Sequence, residues 1–200
     1  TTRGAGEIEV ANSWHPWWQD GPGQAEGYNK RPEYKPQDAR RYGNARVRQG
    51  TFSQKWFNSY ATHHAGIWQQ VNVPANSLVT LRAYAWAWSA SKDTWDKSDG
   101  TYSVRVGIDP TGGTDWASPN VVWSSENFAT DQWVELTIQT RAKGGSVTAF
   151  LRGDAEFRMV HNDAYFDDAS LTCVPPTPAP TNTPRPTNTP ADTPTLTATP

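Results

Sequence analysis

TLRAYAWAWS, residues 80–89, alternates without a break. Leu81, Ala83, Ala85 and Ala87 fall on one side, and Arg82, Tyr84, Trp86 and Trp88 on the other. Successive side chains of a strand point to opposite faces, so this is a strand with two unlike faces. The alanine face is thin and lets a second layer approach closely. The other face lines up a guanidinium, a phenol and two indoles. Planar side chains with polar edges suit a ligand that has flat apolar patches and many hydroxyls, as a sugar chain does. Both indoles would also suit a core, and burial decides between the two.

The same period recurs on either side of this strand. Ile67, Gln69, Val71 and Val73 alternate with Trp68, Gln70 and Asn72. Tyr102, Val104, Val106 and Ile108 face inward, against Ser103, Arg105 and Gly107. Residues 121–124, 133–140, 146–152 and 165–172 supply four more short strands, with turn residues such as Asp109, Pro110, Gly112 and Gly113 between. No segment of helical length carries a 3.6-residue period. Many short strands separated by turns predict an all-β chain, an antiparallel β-sandwich.

The first third is less regular. Residues 7–11 predict one short strand. Pro16, Gly21, Pro22 and Gly23 place Trp14, Trp17 and Trp18 on a loop. There Trp14 is expected to anchor the loop, and Trp17 or Trp18 to stand exposed. Residues 27–42 show no period and are expected to form a long loop. Short strands are expected at 46–50 and 52–56, then a polar loop over 58–66 that holds His63 and His64. Adjacent histidines on a strand would face opposite ways and make a poor metal pair.

After Cys173 the composition shifts to Pro, Thr, Ala and Asn, with Leu196 the one large apolar side chain in residues 175–200. Such a segment cannot bury enough surface to offset chain entropy. It predicts an extended linker or stalk of O-glycosylated composition. Residues 1–174 are thus expected to be the folded domain and 175–200 the tail.

A net charge of −2 gives no support for nucleic acid as a partner, and no apolar run reaches the ~20 residues of a membrane helix. One cysteine cannot staple the fold. Eleven tryptophans are more than a core of this size calls for, and some are expected to bind. A glycosidase needs two carboxylates about 5–10 Å apart across one cleft. Asp154 and Glu156 share a face but lie near a strand end, and no Glu-x-Asp-x-x-Glu strand is present. Tyr84, Arg82, Arg105 and His161 are the residues a lyase would use. No serine sits in an elbow motif, and Gly112-Gly113 is a turn.

Ala65-Gly-Ile-Trp-Gln-Gln-Val71, Val106-Gly-Ile-Asp-Pro-Thr-Gly-Gly113 and Asn162-Asp-Ala-Tyr-Phe-Asp-Asp-Ala-Ser-Leu171 together carry a family likeness. The chain from Glu7 to Leu171 resembles carbohydrate-binding modules of the galactose-binding-like jelly-roll type, closest to families 4, 9, 16 and 22. The repeat of Pro-Thr-Asn-Thr-Pro at 180–184 and 186–190 resembles linkers of secreted bacterial surface proteins. The resemblance implies a non-catalytic module that binds polysaccharide outside the cell. Tyr84, Trp86 and Trp88 would stack on sugar rings. Arg82, Arg105 and Asp109 would bond hydroxyls or uronate carboxylates, and Trp17, Trp18 and Trp95 would form the rim. It also implies a structural calcium at Asp167 and Asp168, which oxygen ligands would hold. The opening strand expected of such modules is not visible, so a further N-terminal strand, or one donated by a neighbour through an edge strand or the tail, is expected. A structural subunit of a surface layer or fibre, carried on a glycosylated stalk, is the alternative.

Overall fold

The computed structural model describes residues 2–3, 7–21, 29–43, 45–93 and 97–177. Trp95 and residues 178–200 of the tail lie outside them. The strands are β1 (Thr2–Arg3), β2 (Glu9–Val10), β3 (His15–Trp18), β4 (Glu33–Asp38), β5 (Phe52–Asn58), β6 (Ala61–Asn72), β7 (Leu78–Ala90), β8 (Tyr102–Asp109), β9 (Val122–Trp123), β10 (Val134–Arg141), β11 (Ser146–Met159) and β12 (His161–Val174). One helical turn, α1 (Ala39–Tyr42), follows β4; Asp38 caps it by accepting from the Arg40 N–H.

Two five-stranded antiparallel sheets form the sandwich. One runs β10-β7-β12-β5-β4, and the other β3-β6-β11-β8-β9. They are called the β7 sheet and the β11 sheet below. Alternation decides what lies between them. Leu81, Ala83, Ala85 and Ala87 of β7 join the core with Val104, Val106 and Ile108 of β8 and Leu151 of β11. The small alanines leave room for Trp56, which is fully buried and stacked on Phe166 at 4.8 Å. The thin face of the 80–89 stretch is therefore the inner one, as its pattern requires.

Several local expectations change. Residues 58–66 are mostly strand: β6 begins at Ala61, with His63 inward and buried and His64 on the outer side. Edge pairing to β6 draws His15–Trp18 into β3, and pairing to β5 makes a strand of Glu33–Asp38, whose Pro36 an edge strand tolerates. Residues 46–50 are turn and bend, not strand.

The expected gap beside the closing strand does not arise. β12 sits inside its sheet, paired with β7 from His161 to Val174 and with β5 from Asn162 to Phe166. No donated strand is needed to flank it there. β1 and β2 pair with each other in a separate two-stranded sheet.

Candidate functional site

The outer face of the β7 sheet carries the aromatic row, and the chain itself covers it. The indole of Trp88 is 2% exposed. The Arg46 guanidinium lies 4.0 Å over it, and His161 stacks on it at 4.1 Å. Arg48 lies 3.5 Å over Tyr84, whose hydroxyl donates to Glu135 at 2.5 Å. That bond holds the Tyr84 phenol above its ordinary pKa, because ionisation would set two anions together. Trp86 is half-buried, edge-on to Trp133 at 5.9 Å, and its indole N–H has no partner among the described residues. Arg82 is exposed and pairs with Glu135 at 3.2 Å. Arg46 also donates to the Tyr165 hydroxyl, which donates to Asp163, and Asp163 takes an ion pair from Lys55. Segment 45–51 thus straps this face with two arginines, and the expected open platform at Trp88 is closed.

The outer face of the β11 sheet has two halves. Over one half the sheet has lost side chains where indoles lie flat. Trp17 rests on Gly66, where a Cβ would sit 2.9 Å from its ring, and Trp123 rests on Gly107, where a Cβ would sit 2.5 Å away. Trp116, from the β8–β9 loop, stacks on Trp17 at 4.7 Å. With Val121, Phe150 and Trp68 these rings form a second apolar cluster, outside the main core. Trp17, expected on the rim, is buried here, and the Tyr34 hydroxyl donates to its carbonyl at 2.6 Å. Trp18 is half-buried and donates to Asp20.

The other half is a polar cleft of about 330 Å³. Pairing sets its floor: His64 of β6 opposes Asp154 of β11, which opposes Ser103 of β8, and one row along Arg152 opposes Arg105. The His64 Nδ1 lies 2.7 Å from one Asp154 oxygen and 3.1 Å from the Arg152 guanidinium. Arg152 donates to the other Asp154 oxygen. Two guanidiniums directly opposed repel. Trp123 offsets this, with Arg105 and Arg152 at 4.7 and 5.5 Å from its ring centre. Gln19 and Thr101 border the cleft. Glu126 and Phe128 stand at its side because Asn127 exchanges backbone hydrogen bonds with Val104 at 2.9 and 3.0 Å. Glu156 enters from the irregular stretch of β11 between Ala155 and Met159. Donors and acceptors thus alternate over a concave surface, with an exposed phenyl ring at its mouth, which suits a polyhydroxylated ligand.

A second opening of about 470 Å³ lies between the sheets near Val10, Trp14, Ile67, Leu151 and Phe166. Glu9, Phe52, Asp167 and Asp168 line it together with these core side chains, and the Gln54 amide inside it is already bonded to backbone groups.

Of the residues expected from sequence, Arg105 lies beside the cleft, 3.7 Å from Glu126. Asp109 is buried and accepts from the Thr111 N–H and hydroxyl, so it braces a turn. Asp167 accepts from the N–H groups of Arg48 and Gln49, and Asp168 pairs with the Arg48 guanidinium. Among the described residues no group of three or more His, Cys, Asp or Glu side chains is placed to hold a metal. His64, Arg152, Glu126 and Phe128 were not singled out from sequence as binding residues. The alternation of β6 and β11 was the signal that could have found the first two.

No family model matches the chain, and no curated protein matches it. Solved structures do. The carbohydrate-binding module TmCBM61, determined in complex with β-1,4-galactotriose, is 12% identical with a TM-score of 0.52, over 80% of this chain and 88% of that one. The Stig cyclase Fisc from Fischerella sp. TAU, in complex with a pyrrolidinylidene-indole, is 13% identical with a TM-score of 0.51, over 82% and 86%. The enzymatically active domain of bacteriophage CBA120 tailspike protein 4 is 6% identical with a TM-score of 0.53, over 82% of this chain and 20% of that one. At these identities the likeness is one of fold: the chain has a jelly-roll β-sandwich. Enzymes share that architecture, so the site must carry the functional argument. Among the described residues no helix is long and apolar enough to cross a membrane.

Proposed function

We propose that this chain binds polysaccharide without cleaving it, in the cleft on the outer face of the β11 sheet. The contrast between the two outer faces carries the reading. One aromatic row is capped by Arg46 and Arg48, whereas the other face holds an open polar cleft walled by indoles. Cleavage would need two carboxylates free to face one glycosidic bond. Of the three carboxylates that line the cleft, Asp154 is engaged by both His64 and Arg152 and Glu126 lies 3.7 Å from Arg105, so Glu156 has no second free carboxylate to work with. The setting is extracellular, a secreted or bacterial cell-surface protein, on the Pro/Thr composition of residues 175–200.

Affinity electrophoresis through gels of soluble polysaccharides tests the reading. At least one polymer is expected to retard the wild type. Phe128→Ala, at a side chain 54% exposed, should relieve the retardation by about ten-fold in affinity, roughly 1.4 kcal/mol, with an unchanged melting temperature. Arg82→Ala, on the opposite sheet, should bind as wild type. Retardation lost in Arg82→Ala and kept in Phe128→Ala would move the site to the β7 sheet.

In this reading the cation at Asp167 and Asp168 is Arg48. A chelator should therefore leave the melting temperature unchanged. A fall that calcium restores would mean that a bound ion stabilises the fold and takes the place of the guanidinium.

A further inference from the structure

We infer that the chain pairs with a second copy of itself through the free edge of β10, so that two β7 sheets run on into one ten-stranded sheet. The inference is independent of the saccharide reading. The two sheets end in four edge strands, β4, β10, β3 and β9. An edge offers unpaired N–H and C=O groups to another chain unless it is short, interrupted by proline or covered. β9 is two residues long. β3 is four residues long, with Pro16 among them. β4 contains Pro36, which has no N–H, and is covered at Tyr34, whose N–H donates to the Glu7 carbonyl at 2.9 Å beside an isolated bridge from Ile8. β10 has none of these devices. Its eight residues, Val134–Arg141, pair with β7 without a bulge and include no proline, glycine or lysine. Among the described residues no strand pairs with its other side.

The sequence of β10 also fits itself. An antiparallel pair aligned about Ile138 sets Glu135 opposite Arg141 at each end, and Thr137 opposite Gln139, on the outer face. On the inner face Leu136 meets Thr140, and Ile138 meets its own copy. Glu135 and Arg141 are the only charges on the strand, and both are exposed. Alignment about Thr137 would set Glu135 opposite Gln139 and lose both charge pairs. β9 lies against β10 and adds an apolar side chain beside the same edge, Val122, which is 38% exposed. Such a two-fold contact uses up the same edge on both copies. The other three edges are blunted, so assembly closes at two and does not run on into a fibre.

Sedimentation velocity of the full chain, from micromolar to millimolar protein, tests this, with amide hydrogen exchange at both ends of the range. A dimer should form as concentration rises, and the β10 amides should slow with it. Thr137→Lys/Gln139→Lys sets like charges opposite each other across the axis, and Arg141→Glu sets carboxylates opposite each other at both ends. Each should weaken self-association at least about ten-fold, with a melting curve in dilute solution like that of the wild type. Where one variant melts early, the other decides. A monomer at every concentration overturns the inference. So does a folded variant that still dimerises as the wild type does, or association that continues past two. Protection of β10 already complete in the dilute monomer would give its edge to the chain's own tail, and would overturn the inference as well.

Discussion

Alanine at Gly66 is expected to cost about 3 kcal/mol or more, which for a domain of this size lowers the melting temperature by about 6–12 °C. A Cβ at this position would run into the Leu151 carbonyl oxygen and lie 2.9 Å from the Trp17 ring. The strand pair cannot separate without breaking the β6–β11 ladder, and the indole cannot rise without disturbing Trp116, stacked on it at 4.7 Å. Near-UV dichroism should report loss of the stacked indoles, and saccharide affinity should fall with it. Gly144→Ala is the control: nothing lies within 4 Å of its Cβ, and its melting curve should match the wild type. Equal curves for the two variants would show that no ring rests on Gly66.

Stability should also fall as the pH drops from 7 to 5, and His63 is the cause. This ring is fully buried, and burial pushes its pKa from 6.5 down to about 3. The ring accepts at Nε2 from the Tyr102 hydroxyl at 2.5 Å, and Nδ1 faces the Asn58 side-chain oxygen at 3.0 Å, a pair of bonds that suits the neutral imidazole. Between pH 6.5 and about 3 the unfolded chain binds one proton more than the folded one. Stability therefore rises with pH across that window, and is lost as pH falls through it. At pH 5 the contribution is about 2 kcal/mol, from 1.36 kcal/mol per pKa unit. Asp38 and Asp99 have lowered pKa values, through bonds from Arg40 and Ser91, and so lose stability only below the ordinary carboxylate range. Urea melts at pH 7, 6 and 5 measure the slope. A flat profile, or an imidazole resonance of His63 titrating near 6.5, would contradict the burial argument.

Strand period carried most of the fold. From Ile67 onward each alternating stretch became a strand with the expected face inward, because the two-residue repeat is a local property of the backbone. The early elements were illegible for the opposite reason. β3 and β4 are strands because β6 and β5 pair with them, and their own residues, with Pro16 and Pro36 among them, show little preference for that state. The site suffered the same way. The 80–89 stretch showed which side chains face out from β7, but not that Arg46 and Arg48 would lie over them. Opposing Arg152 with Arg105, and Asp154 with His64, takes the register of three strands far apart in sequence. Gly66 and Gly107 read as breaks in a pattern, and became seats for Trp17 and Trp123 only once those rings were in place.

The interior position of β12 has a mechanical consequence. This strand leads directly toward the Pro/Thr segment, and it is bonded to β7 from His161 to Asp167 and again from Ser170 to Val174, on either side of a bulge, and to β5 over Asn162–Phe166. Tension arriving through residues beyond Val174 would act along the strand axis. It would load the rungs of the ladder together in shear, rather than opening them one at a time as at a peeled edge. β12 belongs to the β7 sheet, so such a load would enter the sandwich on the sheet opposite the β11-sheet cleft.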